Sequence, residues 1–151
     1  MIIFVKRTKL QNGIVMKRFF TCLILLFSLF TFSMEMVAQE INFRAYKSSA
    51  GVGAKNVPDV YAWGPWVGNN TSIVINMTKN VVNVGDATYE IMEKPKHWVV
   101  KKDFKYCNFE CATPSFDKAN IKLYQYDRGE YRIYVNEEKK AVRYVVKYLD
   151  N

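Results

Sequence analysis

The last thirty residues constrain the fold more than any other stretch. Ala119 to Tyr148 reads ANIKLYQYDRGEYRIYVNEEKKAVRYVVKY, three runs of alternating apolar and polar residues separated by two turn-forming stretches. A three-residue loop, Asp127-Arg128-Gly129 with glycine at positive φ, pairs Gln125 with Tyr131, Tyr124 with Arg132, Leu123 with Ile133 and Ile121 with Val135. A two-residue loop would slip the register by one and put Ile121 and Leu123 on the face of Arg132 and Tyr134. A four-residue loop, Glu137 to Lys140, pairs Val135 with Val142, Ile133 with Tyr144 and Tyr131 with Val146. Both turns give one dry face: Ile121, Leu123, Gln125, Tyr131, Ile133, Val135, Val142, Tyr144, Val146 and Tyr148. Burying each aliphatic member is worth roughly 1.5–3 kcal/mol, which makes a slipped register expensive.

The opposite face carries Lys122, Tyr124, Tyr126, Glu130, Arg132, Tyr134, Arg143, Val145 and Lys147. It is basic and aromatic together, and it is the only surface in the sequence that hints at a partner. Cations there would meet phosphate, sulfate or carboxylate, and tyrosines would stack on rings. The plainer reading is a wetted sheet face whose long side chains lie over the tyrosines.

Upstream, Met16-Lys17-Arg18 precedes an apolar run from Phe19 to Met34, the plan of a secretory signal peptide starting at about Met16. Cleavage is expected after Ser33 or near Ala38, so residues 1–38 read as an N-terminal extension plus signal helix and residues 39–151 as one β-domain. The product is expected to be periplasmic or secreted, with membrane contact only through the signal segment. The run is short for a spanning helix, which needs about 20 residues. Of the net charge of +8, about half belongs to the leader: Glu40 to Asn151 holds 17 basic against 13 acidic side chains.

Two cysteines remain in the domain, Cys107 and Cys111. A disulfide between them requires a turn, because four residues of extended strand span about 13 Å; without one they are two separate thiols. No second cysteine pair accompanies them, and His97 is the domain's one histidine, so neither a metal site nor a cofactor is expected. No nucleophile–base arrangement, P-loop or dinucleotide turn occurs, which argues against an enzyme.

Along the rest of the chain, Ile41 to Lys47 alternates as an opening strand, and Ser48 to Lys55, small and flexible, reads as a loop. Tyr61, Trp63 and Trp66 follow in a turn-rich segment; they read as a plug for one end of the sheet or as an aromatic platform for a sugar ring. Thr71–Asn76 and Val81–Val84 form a hairpin, and Gly85-Asp86 makes a two-residue turn that pairs Val82 with Tyr89. Runs at His97–Lys101 and Lys105–Cys111 complete about eight strands. The fold class is therefore all-β: an antiparallel meander forming a strongly curled sheet or a small closed barrel, with a β-sandwich as the alternative.

The order Tyr61-x-Trp63-x-x-Trp66, Ile73-Val74-Ile75-Asn76, Tyr89-Glu90-Ile91, a cysteine-bearing strand and a closing Ile133-Tyr134-Val135 resembles a group of short exported bacterial β-domains of unknown function. The resemblance covers Tyr61 to Tyr148 and implies no activity. In that group the two cysteines flank a turn, whereas Cys107 and Cys111 sit closer together.

The function expected is a non-catalytic binding or interaction module, with an anionic glycan or lipid headgroup as ligand. A lipocalin-like carrier of an apolar ligand and a secreted interaction or inhibitor protein anchored by Trp63 and Trp66 are the alternatives. Export argues against nucleic acid as a partner.

Overall fold

The computed structural model describes residues 40–55, 57 and 59–150. The expected export signal and its cleavage points lie outside these. Among the described residues there are eleven strands: β1 (Glu40–Gly53), β2 (Tyr61–Trp63), β3 (Val67–Gly68), β4 (Ser72–Asn76), β5 (Val81–Val84), β6 (Ala87–Glu93), β7 (Val99–Val100), β8 (Phe104–Ala112), β9 (Lys118–Tyr126), β10 (Tyr131–Glu137) and β11 (Lys140–Leu149). Eight of them, β1, β4, β5, β6, β8, β9, β10 and β11, run antiparallel around a closed barrel. Closure comes from one long ladder between β1 and β11, from Asn42 opposite Leu149 to Val52 opposite Lys140. Closing the sheet removes two free edges that would otherwise invite another chain to pair.

The two C-terminal hairpins adopt the register that alternation dictates. Leu123 faces Ile133 and Ile121 faces Val135 across β9–β10, while Ile133 faces Tyr144 and Val135 faces Val142 across β10–β11. Tyr126 N–H donates to Glu130 O at 2.9 Å, closing the three-residue loop, and Gly129 takes φ +85°, where a side chain would be strained. The turn after β5 likewise places Gly85 at φ +58° and pairs Val82 with Tyr89.

With that parity, inward residues from all eight strands make one core. Ile73, Ile75, Val82, Ile121 and Ile133 have no exposed surface, and Phe43, Tyr89, Phe109 and Tyr144 fill the space between them. Eight strands enclose an interior about wide enough for side chains to fill. Four members of the expected dry face fall short of full burial: Tyr148 is exposed, and Gln125, Tyr131 and Val142 are half-buried, the last two packed against the core.

Two sequence expectations need correction, and one open alternative, between a disulfide and two separate thiols, is decided. Ser48 to Gly53 is not a loop but the second half of β1, carried past a β-bulge between Ala45 and Lys47. Its small residues serve close packing rather than flexibility: a Cβ on Gly51 would lie 2.8 Å from Trp63 Cε3. Secondly, Cys107 and Cys111 lie on the same straight strand, β8, both buried and unbonded, since no turn brings them together. Burial in the apolar core pushes both thiols up, Cys107 to about 11 against a small opposing pull from Lys105, and Cys111 to about 12. Thirdly, Trp63 and Trp66 do not plug a barrel end.

Candidate functional site

What the tryptophans do follows from where β1 goes. Beyond the bulge, one edge of β1 is paired with β11, and the other is taken up by β2, with Gly51 opposite Trp63, and by β3, with Ser48 opposite Val67. Ser49 Oγ donates to Gly64 O at 2.7 Å and Gly64 N–H donates to Ala50 O at 2.8 Å, tying down the excursion between β2 and β3. The segment from Tyr61 to Gly68 therefore lies against the outside of the barrel wall. Ala141 and Val145, on the outer face by alternation, are only 2% and 6% exposed as a result. Alternation alone puts Val145 on a wet face; an added layer of chain covers it.

Beneath this layer sit the basic residues singled out in the sequence. The Arg143 guanidinium carbon is 4.6 Å from the ring centre of Trp63 and 4.4 Å from that of Trp66, and Arg132 is 5.6 Å from Trp66 and 5.0 Å from Tyr126. Arg132 Nε is 2.5 Å from Glu130 Oε1, and Arg128 reaches the same oxygen at 3.3 Å. Partial burial pushes the Glu130 carboxyl up, but hydrogen bonds and charge from Arg132 and Arg128 outweigh it and hold the group below its ordinary range. Arg143 differs from Arg132: among the described residues no carboxylate pairs with it, and its buried Nε–H has no acceptor.

From Trp63 an aromatic row continues across the barrel exterior. Tyr134 meets Trp63 edge-on at 5.8 Å, Tyr124 meets Tyr134 at 4.9 Å, and Tyr106 stacks on Tyr124 at 5.2 Å. Phe104 and Tyr126, 5.5 Å apart, lie alongside this row, and Tyr61 extends it past Trp63 at 5.7 Å. Burial, reinforced by the neighbouring phenols, pushes Tyr124 up to about 12. Lys122 is half-buried on the same face, and Lys147 lies exposed with its Nζ 5.5 Å from the Tyr46 ring centre. The structure thus brings Tyr124, Tyr126, Arg132, Tyr134, Arg143, Trp63, Trp66 and Tyr61 into one band, with Lys122 and Lys147 on the same outward parity.

Phe104 and Tyr106 are members the sequence reading missed. The alternation of FKYCNFECA places Cys107, Phe109 and Cys111 on one side of β8 and Phe104 and Tyr106 on the other. Apolar residues on both sides hide that pattern until the register with β9 is known. His97 lies elsewhere, lining a shallow exterior cleft of about 210 Å³ with Glu93, Lys96 and Glu110. No group of histidine, cysteine, aspartate and glutamate side chains among the described residues is arranged to hold a metal ion.

Comparison with family models, curated proteins and solved structures returns no match.

Gly51 offers a direct handle on the band. In Gly51→Val the new side chain is expected to push the Trp63 ring off the barrel wall. Tryptophan emission should shift to the red and iodide quenching should increase, while the β-sheet circular dichroism signal persists. An unchanged emission spectrum would show that the ring is held by something other than its close approach to β1.

Proposed function

We propose that this β-barrel is an exported, non-catalytic binding module that engages an anionic ligand, a charged glycan or a lipid headgroup, through its outer aromatic and cationic band. The supporting observation is Arg143, a half-buried cation between two indole rings, with an unfilled donor and no carboxylate partner among the described residues. A guanidinium with no carboxylate beside it is unfavourable, and an anion docked against its charge recovers the loss. Arg132 and Arg128, shared with Glu130, extend the positive charge, and the row from Tyr106 to Trp63 offers ring faces to a sugar.

A polyanionic glycan such as dextran sulfate, and vesicles of phosphatidylglycerol against phosphatidylcholine, separate the two ligand sources. Binding by either should weaken as salt rises, because exposed charges are screened within about 8 Å at physiological ionic strength. Arg143→Gln should lower affinity about tenfold, as expected when one charge-assisted contact worth roughly 1.5 kcal/mol is removed. Failure to bind either probe at low salt would dispose of the reading.

The closed barrel is also consistent with a lipocalin-like carrier. Its inward positions are occupied by the chain's own aliphatic and aromatic side chains, so the exterior band carries the stronger argument.

A further inference from the structure

A second concavity lies at one end of the barrel, where the chain leading into β2 passes over the outer face of β9 and β10. Its volume is about 360 Å³, within the range of small-molecule sites, and Tyr61, Asn120, Asn136, Asp59, Asp117 and Glu138 line it. Tyr61 fixes its roof: the phenol donates to the Glu137 backbone oxygen at 2.7 Å. The floor is a cross-strand pair, Asn120 opposite Asn136.

Asn136 is the unusual residue. It is 8% exposed, and its Oδ1 is buried with no hydrogen-bond partner among the described residues. An orphaned buried amide oxygen costs stability unless something donates to it. Asn136 lines the cleft, so its amide is within reach of a donor bound there. The surroundings are acceptors as well. Asp59, Asp117 and Glu138 form no ion pair among the described residues, and Lys118 is the one cation in the lining. Glu137 is committed elsewhere: its Oε1 accepts from Tyr89 Oη at 2.9 Å and its Oε2 lies 3.6 Å from Lys140 Nζ.

We infer that this cleft binds an organic ammonium, its N–H groups donating to Asn136 Oδ1 and its charge balanced by Asp117, Glu138 and Asp59. The alkyl portion lies against the Tyr61 ring. This inference is independent of the anionic ligand assigned to the outer band. A free diamine and a lysine side chain of a partner peptide present the same chemistry.

Titration of the folded chain by calorimetry and by amide chemical shifts tests it, with 1,5-diaminopentane and Nα-acetyl-lysine methylamide as probes and 1,5-pentanediol as the uncharged control. The diamine should bind and shift amides of residues 117–120 and 136–138, whereas the diol should not. Binding of the lysine derivative as well would assign the site to a peptide side chain, and binding of the diamine alone to a free polyamine. Asn136→Leu should reduce binding at least tenfold while leaving the unfolding midpoint unchanged or higher, since it removes an unpaired polar atom. Should that variant not fold, Asp117→Asn with Glu138→Gln, both at exposed positions, carries the test and should give a similar loss. Arg143→Gln should leave diamine binding intact, separating this cleft from the outer band. Equal binding of the diol, or wild-type affinity in the foldable variants, would overturn the inference.

Discussion

Raising the pH from 8 to 11 is expected to unfold the barrel, with the two core thiols as the leading cause. Cys107 and Cys111 are only 6% and 2% exposed, and burial moves them from an ordinary 9.0 to about 11 and about 12. In the folded chain the neutral thiol is favoured, whereas in the unfolded chain the thiolate forms from about pH 9 upward. Stability is therefore fully present below pH 9 and is lost as pH climbs through the folded values. Every tenfold difference in proton affinity between folded and unfolded chain is worth roughly 1.4 kcal/mol, so the two thiols together remove roughly 5 kcal/mol by pH 11. That is comparable to the entire stability of many domains, about 5–15 kcal/mol. Tyr89, raised by burial and then by its bond to Glu137, adds to the loss above pH 10, as does Tyr124. Circular dichroism against pH should show a steep transition beginning above 9. In Cys107→Ala with Cys111→Ala the component between 9 and 11 should flatten while the tyrosine component remains. A variant that titrates like the parent would show that the thiols are not the groups responsible.

Ile133→Ala should be among the most damaging single truncations in the core, lowering stability by about 2–5 kcal/mol. Ile133 is entirely buried and paired on both sides, with Leu123 on β9 and Tyr144 on β11. A closed barrel has no free edge through which strands can slide together, so the vacated space collapses poorly. Its outward neighbour Tyr134 makes a useful contrast, since Tyr134→Ala removes contacts to Trp63 and Tyr124 but leaves the interior intact. Urea denaturation should give a clear drop in midpoint for Ile133→Ala and a smaller one for Tyr134→Ala. Equal losses would mean that the exterior layer contributes as much to the fold as the barrel core.

Placing Trp63 needed more than local pattern. Read along the chain, Tyr61-Ala62-Trp63-Gly64-Pro65-Trp66 is a turn-rich stretch with large rings and no evident destination. The rings find their place against Gly51 and Arg143, residues from 12 to 80 positions away in sequence. The same holds for Ser48 to Gly53. Small residues signal a loop when nothing is known to press on them, and a close-packed strand once a tryptophan does. Asn136 reads as one polar residue in an alternating strand; its burial depends on the chain around Tyr61 crossing above it.

Alternation within Ala119–Tyr148, the lengths of two reverse turns and the glycine positions were enough to decide which side chains of β9, β10 and β11 face inward, because strand side chains have a period of two and a single slip would drive arginine into the interior. Local chemistry acts over a few residues, and those choices are local. Closure of β1 onto β11, the covering of the outer wall by Tyr61–Gly68, and the position of Arg143 away from any carboxylate among the described residues were decided only in the tertiary structure. Each depends on which distant segment comes to lie against a surface, and burial, unlike alternation, is a property of the whole packed chain.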